Sequence, residues 1–251
     1  MPTCVLPFVH SFKPLLQPGA ALRLIWLSLG STALAEVAAQ AAPSAVVLDL
    51  QHGLWERTTL EAAAGIAGAQ VPVIARTADL SPAAIASALD AGAAAVMAPL
   101  VETADDARAL VAAGRYPPLG RRSGGGLRPL LRGGAAMRAG DAQVALGAMI
   151  ETALGVENAA AICATEGLDF IFIGTGDLAL SMPDATPRQV KACCARLRRT
   201  AHAHGLPCGL FTHDAVAARQ ALAEGYEMVV VASDIGLALS GFTHAMRDSQ
   251  R

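Results

Sequence analysis

The most constraining feature of this chain is its alternation. Short runs of β-branched and apolar residues recur along the sequence, each separated from the next by an Ala/Leu-rich helical stretch. Eight such runs stand out: Leu22–Leu29, Ala45–Leu50, Val71–Arg76, Ala94–Leu100, Val144–Glu151, Asp169–Gly174, Leu206–Thr212 and Glu227–Ala232. Runs of about four to eight such residues, interleaved with helices, read as strands of a parallel sheet covered on both faces. Eight β-then-α units in 251 residues match a closed (β/α)8 TIM barrel, a single domain over residues 1–251. The alternative is an open doubly wound sheet, which usually carries a glycine-rich dinucleotide turn after its first strand. The corresponding turn, Leu29-Gly30-Ser31-Thr32, lacks that fingerprint.

Local signals agree with this division. Thr58-x-x-Glu61 and Thr186-Pro187-x-Gln189 read as capping boxes, and Ser81-Pro82 as a cap before a proline at the first helical position. Gly92, Gly114, Gly167, Gly205 and Gly225 mark expected helix ends. The rhythm breaks once, after the helical run Thr103–Ala113, where a long irregular segment extends over residues 115–141. An insertion of that kind reads as a lid, a binding loop or disorder, and it is expected at the C-terminal face, where barrel active sites lie.

Composition removes several function classes. With 53% hydrophobic and 16% charged residues the chain buries too much apolar area to be disordered. Nineteen basic against 21 acidic residues lack the basic excess of a nucleic-acid partner. No apolar run reaches the roughly 18 residues of a membrane span. The most lipid-like stretch, residues 20–37, is interrupted by Arg23, Gly30, Ser31 and Glu36. No secretory signal is evident, and the five cysteines (Cys4, Cys163, Cys193, Cys194, Cys208) are odd in number with no C-x-x-C pair. A cytoplasmic protein with reduced cysteines acting as small hydrophobes is the expectation.

In a barrel, polar groups at strand C-termini point into one cup. The second run ends in Asp49-Leu50-Gln51-His52-Gly53, the third in Arg76, the fifth in Glu151 and the sixth in Gly174-Thr175-Gly176-Asp177. Two rim carboxylates with room for water and substrate oxygens suit a hard divalent cation. Mg2+ or Mn2+ lead, with Co2+, Ni2+ and Zn2+ behind them. Taken singly, Glu151 and Asp177 also read as helix caps or arginine partners, and His52 as an ordinary rim histidine. Arg76 reads either as a simple ion-pair partner or as forked donors held out to a carboxylate or developing oxyanion. The Gly174–Gly176 turn exposes backbone N–H groups to an anion. His202 and His204 are expected at the surface, and His213 beside the helix cap Asp214. The insertion's arginines (Arg115, Arg121, Arg122, Arg128, Arg132) either attract anionic substrate or solvate a loop. Only Lys13 and Lys191 are present and neither ends a strand, which argues against Schiff-base chemistry.

These residues carry a resemblance. Val47-Leu-Asp-Leu-Gln-His-Gly53, Pro72-Val-Ile-Ala-Arg76, Leu89-Asp-Ala-Gly92, Arg115-Tyr-Pro-Pro-Leu-Gly-Arg-Arg122, Met149-Ile-Glu-Thr152 and Phe172-Ile-Gly-Thr-Gly-Asp-Leu178 resemble the metal-dependent pyruvate aldolases of the HpcH/HpaI family. The resemblance implies His52 as base, Asp90 as the acid supporting it, and Arg76 as the group that holds pyruvate and stabilises its enolate. It implies Glu151 and Asp177 as metal ligands, and the Gly176–Asp177 backbone as the carboxylate's seat. It further implies a hexamer with C-terminal helices exchanged between neighbours. Three positions depart from common family residues: Gln51, Met149 (where a glutamine touches substrate in some members) and Thr175 (commonly proline). The implied activity is retro-aldol cleavage of a 4-hydroxy-2-oxo acid to pyruvate, or a pyruvate-like 2-oxo acid, and an aldehyde. An acyl-CoA carbon–carbon lyase and a non-catalytic metabolite-binding barrel are the rival readings.

Overall fold

All eight expected strands form, and they close on themselves. The computed structural model describes residues 10–133, 137 and 139–250. The strands are β1 (Leu22–Leu27), β2 (Ala45–Asp49), β3 (Val73–Arg76), β4 (Ala95–Ala98), β5 (Ala145–Ile150), β6 (Phe170–Ile173), β7 (Cys208–Leu210) and β8 (Met228–Ser233). Each pairs in parallel with the next, and β8 returns to β1, giving a (β/α)8 barrel.

Strand parity decides what faces inward, because successive side chains point to opposite faces. Trp26, Val47, Ile74, Met97, Met149 and Phe172 share one interior cluster. Val46, Val73, Val96, Leu146 and Ile171 instead pack beneath the outer helices. Two interior glycines make room for the largest rings. A Cβ at Gly147 would lie 2.1 Å from the Phe170 ring, and one at Gly209 would lie 2.3 Å from Phe172. Phe12, fully buried, sits edge-on to Phe170 and closes the base.

The expected caps at Ser81 and Thr186 are present, but the box at the helix Arg57–Gly68 belongs to Glu56 and Thr59 rather than to Thr58 and Glu61. Four of the expected helix-ending glycines have positive φ; Gly114 instead ends its helix beneath Leu146, where a Cβ would meet a methyl at 2.6 Å.

The position of the insertion corrects the sequence expectation. The helix Ala104–Gly114 carries the chain back to the strands' N-terminal ends, so the described residues of the insertion lie at the base and not over the cup; residues 134–136 and 138 lie outside the described residues. Arg115 is buried and fixes this segment there. It donates to the carbonyls of Asp141 (2.6 Å), Val144 (2.8 Å) and Gly167 (3.3 Å) and pairs with Asp169 at 2.7 Å, all beside the starts of β5 and β6. Arg128 donates to the Glu61 carbonyl at 2.8 Å. These two arginines are therefore structural ties, neither substrate attractors nor loop solvation. Cys4 and the side chain of Arg132 lie outside the described residues.

The last helix, Asp234–Asp248, is anchored at its start. Asp234 is buried and accepts the N–H groups of Ser28 and Leu29, which bolts the helix to the end of β1. Beyond it Leu237, Leu239, Phe242 and Met246 are exposed. No helix among the described residues is long and apolar enough to cross a membrane.

Candidate active site

The inward parity of β2 and β3 brings an acid and a base to the same level. Asp49 and Arg76 are register partners at the two strand ends. Arg76 donates Nε to Asp49 Oδ1 at 2.7 Å and Nη2 to Oδ2 at 2.5 Å, and its guanidinium lies 5.0 Å over the Trp26 ring. Asp49 also accepts from the Trp26 indole (3.2 Å), the Ser28 hydroxyl (3.3 Å) and the backbone N–H groups of Gln51 (3.1 Å) and His52 (3.3 Å). Burial opposes its ionisation, but Arg76's hydrogen bonds and charge outweigh that and hold the carboxyl below its ordinary range. One carboxylate thus orients the arginine and folds the turn that carries His52, whose side chain is exposed at the rim.

Asp49 stands outside the residues to which the motifs assign a role. A signal is nonetheless present: an acid ending a wholly apolar strand, on the inward parity, beside a strand that ends in arginine.

Across the cup, β5 and β6 supply the second acidic pair. Glu151 is 1% exposed and follows Met149 on the inward face. Its Oε1 accepts the Leu100 N–H at 2.9 Å, while Oε2 is buried with no hydrogen-bond partner. Burial pushes the Glu151 carboxyl up to about 7; the charge and close approach of Asp177 act in the same direction, and the Leu100 N–H and Arg76 act against it. Asp177, in the first turn of the helix Thr175–Ser181, is therefore close enough to interact directly with Glu151. Gly174 allows this approach, since a Cβ there would lie 2.2 Å from Glu151 Oε2.

These donors fit a hard divalent ion. An unpartnered buried carboxylate oxygen beside a second carboxylate leaves negative charge uncompensated, and Mg2+ or Mn2+ takes one or two carboxylates and fills its other positions with water or substrate oxygens. No group of three or more His, Cys, Asp or Glu suited to a metal occurs among the described residues, so the set does not make a closed zinc centre.

The other expected contacts divide. Gly174 spends its N–H on the Ile150 carbonyl (3.3 Å), whereas Gly176 is exposed with open space above it. Thr175 Oγ1 donates to the Phe211 carbonyl at 3.3 Å, which ties down a turn expected to be loose without a proline. Met149 is buried against the Gly174 backbone.

Asp90 is not brought to His52 within the chain. It ends the helix Pro82–Asp90 at the base of the barrel, where its Oδ1 pairs with Arg122 Nη2 at 2.7 Å. A helix that starts at the cup finishes one barrel length away from it.

Just past the end of β7, His213 is exposed and edge-on to Phe211, and Asp214 caps the next helix as expected. His202 and His204 are exposed as expected, and His202 also bonds the buried Glu227 at 3.0 Å. Burial pushes the Cys163 thiol up to about 12 and Cys194 to about 11, consistent with small hydrophobes.

Comparison with known proteins defines the class first. The HpcH/HpaI aldolase/citrate lyase family model matches residues 23–241. Among similar proteins are a hydroxypyruvate/pyruvate aldolase of Rhizorhabdus wittichii, 35% identical over 90% of this chain and 92% of that protein, and a 4-hydroxy-2-oxovalerate aldolase of Novosphingobium aromaticivorans, 34% identical over 88% and 87%. A crystal structure of a family protein from Burkholderia cenocepacia superposes with a TM-score of 0.88 at 31% identity, covering 96% of this chain and 98% of that one. The chain belongs to the HpcH/HpaI aldolase/citrate lyase family and is a carbon–carbon lyase.

Proposed function

We propose that the protein is a divalent-metal-dependent aldolase that cleaves 4-hydroxy-2-oxo acids to pyruvate, or a pyruvate-like 2-oxo acid, and an aldehyde, and that runs the reverse addition. The observation that carries this reading is the buried, unpartnered Glu151 Oε2 beside Asp177, in the same cup as Arg76 and His52. Glu151 and Asp177 would hold the ion, Mg2+ or Mn2+ foremost. When bound it would supply Lewis acidity toward the substrate's keto group.

The chain's own residues account for the remaining steps. His52, exposed at the rim, takes the proton of the C4 hydroxyl; such a role is worth roughly 10²–10⁴-fold. As the C3–C4 bond breaks, its electron pair passes into the enolate of the departing 2-oxo acid. Asp49 takes Nε and Nη2 of Arg76 and so holds the guanidinium in place, where its fixed positive charge stabilises that enolate. The Gly176–Asp177 backbone receives the carboxylate. Proton return to C3 completes pyruvate.

The support assigned to Asp90 must then come from a second copy, in keeping with a homo-oligomer whose C-terminal helices are exchanged. The exposed apolar side chains of the helix Asp234–Asp248 support that exchange. Mixing His52→Ala and Asp90→Asn proteins under subunit exchange should restore activity that neither has alone; absence of any recovery would place the Asp90 role elsewhere.

The direct test is pyruvate release from 4-hydroxy-2-oxovalerate by chelated protein, with and without added Mn2+, then a panel of aldehydes offered with pyruvate or hydroxypyruvate. Release that requires the metal is expected. Cleavage of a CoA ester in its place would favour the acyl-CoA lyase reading, and no turnover of either substrate would favour a metabolite-binding barrel.

A further inference from the structure

Leu100 stands just past β4 and has φ +53°, one of two non-glycine residues with positive φ among those described. That left-handed conformation is strained for leucine and free for glycine. Its side chain is 45% exposed, so packing of the leucine gives little in return. The backbone explains the conformation better. Val101 N–H is fixed to the Met149 carbonyl at 3.1 Å, and the preceding amide, that of Leu100, is turned onto Glu151 Oε1 at 2.9 Å. With Oε1 held there and Gly174 leaving space on the other side, Oε2 is the oxygen left without a partner. Strain of this kind is kept where the surroundings over-determine it, commonly at functional sites.

We infer that Leu100 is a positioning residue: its left-handed backbone, and not its side chain, aims an amide at Glu151 and presents Oε2 to the cation. The inference rests on the metal reading above and adds to it a residue outside the ligand set. The carboxylate is aligned before the ion arrives, so loss of the alignment weakens binding of the ion itself.

The test is the Mn2+ dissociation constant of chelated full-length protein by titration calorimetry, with the chelated protein's melting temperature alongside. Leu100→Gly keeps both the amide and the conformation, and its Kd should stay within about twofold of wild type. Leu100→Val disfavours positive φ strongly and should weaken binding about tenfold, the scale of one hydrogen bond to a charged group. A merely structural role would lower the melting temperature and leave Kd where it was. Should Leu100→Val not fold, Leu100→Ala decides: it deletes the side chain, keeps the amide, and should bind like wild type. The inference is overturned if Leu100→Val binds like wild type, or if Leu100→Gly or Leu100→Ala loses affinity tenfold. Wild-type protein that binds no Mn2+ would overturn the metal reading together with this inference, whereas wild-type binding with an unaffected Val variant overturns the inference alone.

Discussion

Asp49 and Arg76 face each other at the ends of β2 and β3 and lock in a buried two-point ion pair, Nε–Oδ1 2.7 Å and Nη2–Oδ2 2.5 Å. Removing one partner of such a pair leaves the other charge buried alone, which costs about 3–5 kcal/mol. Asp49→Asn should therefore lower stability by about 3 kcal/mol or more in urea unfolding. It should also raise KM for the 2-oxo acid, because Arg76 loses the partner that fixes its orientation. A variant with wild-type stability would show that the pair is not held as the geometry has it.

His52 and Arg76 should behave differently when truncated. His52 is exposed, so His52→Ala should shift stability by no more than about 0.5 kcal/mol while cutting kcat roughly 10²–10⁴-fold. Arg76→Ala strands Asp49 and should lose both stability and activity. Parallel thermal melts and steady-state assays separate the two. Equal melting temperatures for both variants would contradict the role given to Asp49.

The barrel is legible in the sequence because each strand is an apolar run of the right length and several helix ends have a local signal. The cup is legible for the same reason: Arg76, Glu151 and Asp177 stand at or just past strand ends, on positions that parity and topology bring together. Asp49 is not, because its role depends on register, which pairs it with Arg76 across 27 residues and is not a local property. The length of the insertion suggests a lid over the cup, but its direction decides the face. It comes after a helix, and in a (β/α) repeat every connection after a helix lies at the base. Asp90 shares that geometry, since its helix ends where the insertion packs, with Gly126 against its side chain.

Glu151 gives the metal-free protein a pH dependence of definite sign. Its carboxyl is raised from 4.5 to about 7, burial being the largest cause, and unfolding returns it to the ordinary value. Between those two values the folded state holds a proton that the unfolded chain releases. Its contribution is therefore complete below the unfolded value and is lost as pH rises through about 7. The total decline is at most about 3 kcal/mol. Asp49 does not offset it, because its lowered carboxyl stays ionised across this window. Mn2+ binding requires the deprotonated carboxylate, so affinity should rise over the same interval. Melting temperatures of chelated protein from pH 5 to 8.5 should fall, and those of Glu151→Gln should stay comparatively flat. A wild-type profile as flat as the variant's would refute the assignment.

Gly174 and Gly176 stand two residues apart and make opposite predictions for alanine. A Cβ on Gly174 would lie 2.2 Å from Glu151 Oε2 and 2.8 Å from Met149 Cε, so the carboxylate must swing aside. Gly174→Ala should weaken Mn2+ binding by an order of magnitude or more and lower kcat/KM with it. Gly176 lies within a helix and has nothing within 4 Å of the added methyl. Gly176→Ala should bind Mn2+ normally and gain about 0.5–1 kcal/mol of stability from the better helix former. If the substrate carboxylate approaches the backbone there, the methyl stands in its path, and KM for the 2-oxo acid should rise severalfold. Calorimetry and steady-state kinetics on the two proteins therefore separate the seat of the ion from the seat of the carboxylate. A Gly176→Ala enzyme with unchanged KM would move the carboxylate to another part of the cup while leaving the Glu151 assignment intact.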